Sequence, residues 1–177
     1  MKKLVLLFTV VAFTCTAAFA QITREQSIAE WTRAKAYTKA YLDAMPADGY
    51  AFKPTPEMRS FAQQMLHLAD GGYFLVGMAT GKESPLGKNV SVEKTVAPTK
   101  EAVTKAVMDS YDFAIEAVKG MTDAQLSETI TMNMGKELKT TRGAMLFKAF
   151  EHQTHHRGQT TPYLRLKGVT PPQEMLF

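Results

Sequence analysis

Cysteine, tryptophan and histidine are all scarce in this chain: one Cys15, one Trp31 and four histidines among 177 residues. Long apolar runs are scarcer still. The one conspicuous run is "LVLLFTVVAF", directly after Lys2 and Lys3 and followed by "AFA" at positions 18–20. A positive start, an apolar centre and small residues before Gln21 form the three-part pattern of a cleaved secretory signal. The run is shorter than the roughly 20 apolar residues a membrane-spanning helix needs. Residues 1–20 are therefore expected to direct export, to a periplasmic or secreted location, and to be removed. The "AFT" before Cys15 lacks the leucine and small-residue pairing of a lipid attachment site, so lipidation of Cys15 is a minor alternative.

Removal of that segment takes the cysteine with it. The mature chain is then expected to have neither a disulfide nor a thiol nucleophile, although its destination permits disulfides. Charge of one sign is also lacking. Without Lys2 and Lys3 the 21 basic residues fall to 19 against 17 acidic ones, and no basic stripe runs along the chain. Nucleic acid is thereby excluded as a main partner. The remaining 157 residues, Gln21 to Phe177, suit one domain with one substantial core.

What is present reads as helices separated by Pro- and Gly-marked loops. Thr23 and Gln26 form a capping-box pattern, followed at helical spacing by Ile28, Trp31, Ala34, Thr38, Tyr41 and Met45 until "MPADGY" stops the helix. A second helix is expected to open at "KPTPEM", with Thr55 as cap and Pro56 in the first turn. It carries Met58, Phe61, Met65, Leu68, Gly72 and Leu75 and ends near Gly81. "GKESPLGKNVSVEKTVAP" reads as a loop, and a third helix is expected from about Thr99 to Lys119. "SETITMNMGKELKTT" alternates around Gly135 as a small hairpin or an irregular lid. The last helix is expected from about Arg142 to Lys167, bent after the histidines by Gly158 and Pro162 and closed by Gly168. Four long amphipathic segments, with no repeat, heptad series or low-complexity tract, predict an all-α four-helix bundle.

Three of the four histidines, His152, His155 and His156, fall within five positions, and His67 lies 85 residues upstream. His152 and His156 are one helical turn apart on the face that carries Met145, Ala149 and Tyr163, so both rings look inward. Inward imidazoles need partners. A divalent cation is one solution, because neutral imidazole ligates zinc, nickel, copper and iron. Hydrogen bonds to backbone and water are the other. His67 shares a helix flank with Gln64, Gly71, Phe74 and Met78 and can supply a third ligand across a bundle. His155 is turned away from this face and is expected to be exposed. The metalloprotease pattern H-E-x-x-H is absent, because Gln153 occupies the place of the catalytic glutamate. Asp70 and Glu151 are the carboxylates nearest the histidines, expected to orient ligands or to pair with Arg157.

Two segments together resemble the DinB/YfiT-like superfamily: "YAFKPTPEMRSFAQQMLHLAD", with its single histidine, and "FEHQTHHRGQTTPYLRLKGVTPP", with the H-x-x-x-H-R-G-Q core at His152, His156, Arg157, Gly158 and Gln159. The resemblance spans essentially the mature chain. It implies a four-helix bundle of up-down-down-up or related topology, often a homodimer, with a divalent metal on His67, His152 and His156. Zinc or nickel is the expected metal, with iron as a further option. The histidines themselves leave two readings open, a hydrolase-like enzyme using metal-activated water and a non-catalytic bundle binding metal or a small ligand, and the resemblance adds a third, a thiol-dependent transferase. Exported location argues against the last, since the low-molecular-weight thiols involved are cytosolic. A small-molecule substrate is implied but not specified.

Overall fold

The structure is a computed structural model and describes residues 22–87, 89–133 and 135–177. The expected signal, residues 1–20, lies outside the described residues. Among the described residues no helix is long and apolar enough to cross a membrane.

Four long helices carry the fold: α1 (Arg24–Ala44), α2 (Phe61–Thr80), α4 (Lys100–Lys119) and α6 (Arg142–Gln159). Between them lie a 3-10 turn (Ala47–Gly49), a one-turn helix α3 (Val92–Thr95) and another, α5 (Asp123–Leu126). A two-stranded hairpin, β1 (Thr129–Asn133) and β2 (Glu137–Thr141), leads into α6, and a short α7 (Thr161–Leu166) follows it. The all-α bundle read from the sequence is the architecture observed. α2 packs against α4 and α6, and α1 packs mainly against α4, so α1 and α2 take opposite corners.

Helix starts follow local chemistry. The Thr23–Gln26 capping box forms as read, and Thr99 caps α4 by accepting from Ala102 N–H. The second helix departs from expectation. It starts at Phe61, not at Pro56, because Ser60 and Gln63 form the capping box. The carbonyls of Phe52 and Tyr50 accept the amides of Phe61 and Ala62 at 3.0 and 2.9 Å, which satisfies two more N–H groups of the first turn. Residues 55–58 form a turn instead, with Met58 N–H donating to the Thr55 carbonyl at 3.2 Å, and Met58 is exposed. The crossover after Gly81 holds α3, which the sequence offered as loop. The hairpin is regular, pairing Thr129 with Thr141 through Asn133 with Glu137, and Gly135 adopts φ 81°, a backbone angle that favours glycine. The last helix breaks at Thr160, with Pro162 in the first turn of α7, as Gly158 and Pro162 led one to expect.

The core is apolar, with Trp31, Leu42, Phe61, Met65, Val107, Met145 and Leu164 buried. One polar network crosses it. Tyr111 donates its hydroxyl to Gln153 Oε1 at 2.7 Å and lies 2.7 Å from Thr38 Oγ1, while Arg157 Nη1 donates to the same Gln153 oxygen at 3.0 Å. The Arg157 guanidinium sits over the Tyr37 ring, 4.2 Å from its centroid. Burial lowers the pKa of Arg157 and pushes the Tyr111 phenol up to about 12, so the phenol stays protonated as a donor. Tyr111→Phe removes both hydroxyl contacts and should destabilise the bundle by about 1–3 kcal/mol. A thermal melt would register this as a fall of several degrees with the helix content unchanged.

Candidate metal centre

Three histidines converge where α2 meets α6. His67, on α2, and His152 and His156, on α6, each bring one ring nitrogen within 4.8 Å of the others. Ring centroids are 4.4 Å apart for His152 and His156, 4.6 Å for His67 and His156, and 5.4 Å for His67 and His152. The i, i+4 spacing puts the two α6 rings on one face, and the α2–α6 seam brings the third against them.

Glycine makes that seam close enough. A methyl group on Gly71 would overlap the His152 ring at Cε1 and Nδ1 and meet Nε2 at 2.8 Å. Gly71 lies on the helix flank of His67, and Gly72 lies in the adjoining apolar stripe. Only Gly71 makes a close approach, and its neighbour is His152, whereas a methyl on Gly72 would meet Ser110 at ordinary contact distance, 3.8 Å.

Each histidine has a distinct setting. His67 keeps 29% of its side chain exposed, and its Nδ1 lies 3.0 Å from Glu93 Oε2. His156 is buried, with the Gln64 amide 2.9 Å from its Nδ1 and Gln159 touching the same amide. His152 Nδ1 is buried with no hydrogen-bond partner, the one such side-chain atom among the described residues. Burial first, and the nearby His67 second, push His152 down to about 4. Burial, and then His152, push His156 down to about 3. Both rings are therefore neutral near pH 7, the form that ligates a metal. His155 is exposed, outside the cluster, although its ring lies 4.9 Å from that of His156.

The carboxylates expected to assist take other roles. Asp70 accepts from Ser91 Oγ at 2.6 Å, Val92 N at 2.7 Å and Glu93 N at 3.2 Å, capping α3. Glu151 is exposed, and Arg157 bonds Gln153 and Thr38, so it pairs with neither acid. The carboxylate at the cluster is Glu93, which sequence reading missed because it stands in an apparent loop 26 residues from His67. Its other oxygen accepts from Arg59 Nε at 2.8 Å. Gln64 shares the His67 face of α2, and its contact with His156 has no sequence motif.

The donor set fits a divalent transition metal. Three imidazoles drawn from two helices are a donor set typical of sites with open positions. The unpartnered Nδ1 of His152 marks a lone pair, or a proton, without a protein counterpart, a costly arrangement for an ordinary core histidine. One turn beyond His67 on α2, a cavity of about 460 Å³ opens between Asp70, Tyr73, Phe74 and Val90.

Two outcomes are expected. Gly71→Ala should push the His152 ring out of the cluster, lowering zinc affinity at least tenfold and the melting temperature by several degrees, as overpacking does. Titrating a chelator against the zinc-loaded variant and wild type reads the first effect. The second outcome concerns pH. An unfolded imidazole titrates near 6.5, so between that pH and the depressed folded values the unfolded chain holds the extra protons. Stability from the neutral rings is complete above about pH 6.5 and is lost as pH falls towards 4 and 3. Melts of the metal-free protein should show this decline, and a His152→Gln, His156→Gln double variant should flatten it.

Comparison with known proteins agrees with the fold. The family model described as the DinB superfamily matches residues 30–160. A DinB-like protein from Bacillus cereus superposes with a TM-score of 0.72 at 19% identity, covering 87% of this chain and 99% of its own. A DinB-like protein from Bacillus subtilis gives 0.66 at 20%, over 86% and 96% of the two chains. A conserved protein from Enterococcus faecalis gives 0.65 at 20%, over 83% and 98%. No curated protein matches the chain in sequence. At these identities the structural likeness shows the fold alone, while the family match covers most of the bundle: the chain belongs to the DinB superfamily.

Proposed function

We propose that this protein holds one divalent transition metal on His67, His152 and His156 and is a metal-dependent enzyme of the hydrolase type. The observation that carries the reading is the convergence of three imidazoles from two helices, one of them with a buried, unpartnered Nδ1. Zinc and nickel suit the all-nitrogen donor set best, and iron is compatible with it.

A cation held by the three histidines would supply Lewis acidity, able to polarise a carbonyl or phosphoryl oxygen or to acidify water. The chain's own residues provide access and orientation. His67 is partly exposed, so small molecules reach the cluster from solvent. Arg59 carries a positive charge at the rim, and Gln64 and Gln159 place amides beside His156. The neighbouring cavity, lined by Tyr73, Phe74 and Val90 together with polar residues such as Asp70 and Ser91, suits a small substrate with an apolar part. Gln153 takes no part as a base, because it is buried and committed to Tyr111 and Arg157.

The proposal includes export, supported by the charged start, apolar run and small residues of positions 1–20. A homodimer is part of it only through the family resemblance. A non-catalytic metal-binding bundle is the competing reading, favoured because Glu93, the carboxylate at the cluster, is already bonded to His67 and Arg59.

Elemental analysis of residues 21–177, purified without a histidine tag, tests the metal. About one equivalent of transition metal is expected in the native chain, and none in the His67→Ala, His152→Ala, His156→Ala variant. Absence of metal in both after reconstitution with zinc, nickel and iron would refute the reading. The loaded protein should then cleave at least one member of an ester and amide panel, and inertness across it would favour the non-catalytic bundle.

A further inference from the structure

Resting on the metal reading above, we infer that Glu93 is a positioning residue for His67, and that Asp70 holds Glu93 in place by capping the crossover helix. The inference starts from a closed circuit of contacts. His67 and Asp70 stand three residues apart on α2, one turn of a rigid helix. Asp70 reaches out to the crossover and accepts three hydrogen bonds, from Ser91 Oγ, Val92 N and Glu93 N, at 2.6, 2.7 and 3.2 Å. Glu93, so anchored, returns its carboxylate to His67 Nδ1 at 3.0 Å. Arg59 Nε donates to the other carboxylate oxygen at 2.8 Å, which fixes the carboxylate's rotation.

The chemistry of the imidazole gives the circuit a direction. An ionised carboxylate only accepts, so the 3.0 Å bond to Glu93 puts the proton on Nδ1, and Arg59 Nη2, a donor at 3.4 Å from the same nitrogen, is the longer contact. The lone pair is then on Nε2, the nitrogen left for a cation. A carboxylate on the far side of a histidine ring also raises its basicity and fixes its orientation. His67 needs this more than its partners do. His152 is wedged against Gly71 and His156 is braced by Gln64, whereas His67, with 29% of its side chain exposed, is held by Glu93. The crossover segment is thereby coupled to the metal, although none of its residues belongs to the triad.

The test is zinc affinity, measured by chelator competition, for wild type, Glu93→Ala, Glu93→Gln and the control Glu151→Ala. Glu151 adjoins His152 in sequence but is exposed. Glu93→Ala should weaken zinc binding by about 10–100-fold, the usual range for a lost carboxylate behind a histidine ligand. Glu93→Gln, which keeps an acceptor oxygen and the side-chain shape, should recover part of the loss, and Glu151→Ala should match wild type. The visible spectrum of the cobalt-loaded protein should shift in Glu93→Ala and remain unchanged in Glu151→Ala, a response that a general loss of stability would not produce. Wild-type affinity and an unaltered cobalt spectrum in both Glu93 variants would overturn the inference while leaving the metal site standing. A wild-type chain that binds neither metal would overturn the site itself.

Discussion

The contact between an imidazole on α6 and the bare backbone of α2 at Gly71 governs the site. His152 can occupy the bundle seam only because Gly71 has no side chain. With that ring seated, His156 lies one turn further along α6, against Gln64, and His67 completes the cluster from α2. Two helices packed this closely would ordinarily bury apolar side chains. Here part of the seam holds three nitrogen heterocycles, at the cost of one ring nitrogen with no protein partner. A cation held by the cluster would offset part of the cost of placing three imidazoles in the seam.

The polar groups in this half of the molecule divide into two sets with different tasks. Gln153, Tyr111, Thr38 and Arg157 form a buried, mutually bonded network between α1, α4 and α6. It sets the rotation of α6, because Gln153 faces the core beside His152, while Arg157 follows His156. Arg157 is held by neutral acceptors and the Tyr37 ring, so no carboxylate is drawn into the core. The second set, Asp70, Glu93 and Arg59, lies towards the surface and ties the crossover to α2. One set orients the helix that carries two histidines, and the other surrounds the third.

Legibility in the sequence followed the range of the interaction. The helical periodicities of α1, α4 and α6 were readable because each depends on residues three or four apart. So was the break near Pro162, since a missing N–H is a local fact. The start of α2 is ambiguous in the sequence because two signals compete within a few residues. Thr55–Pro56 was a plausible start, but Ser60–Gln63 was favoured once the carbonyls of Tyr50 and Phe52 covered the amides of Phe61 and Ala62. Asp70 and Glu151 were natural candidates because they sit close to histidines in sequence. Glu93 was invisible because its nearness to His67 exists only after the crossover folds back onto α2.

By itself, then, the amino-acid order determined the helical class, the inward pairing of His152 and His156 and the exposure of His155, since periodicity sets which face of a helix a residue takes. The two quoted segments also carried the family. Tertiary structure decided what cannot be periodic: which glycine admits which ring, which amide braces His156, and which of several acids reaches His67. Those choices depend on distances between elements far apart in sequence, and such distances are set by how the helices pack.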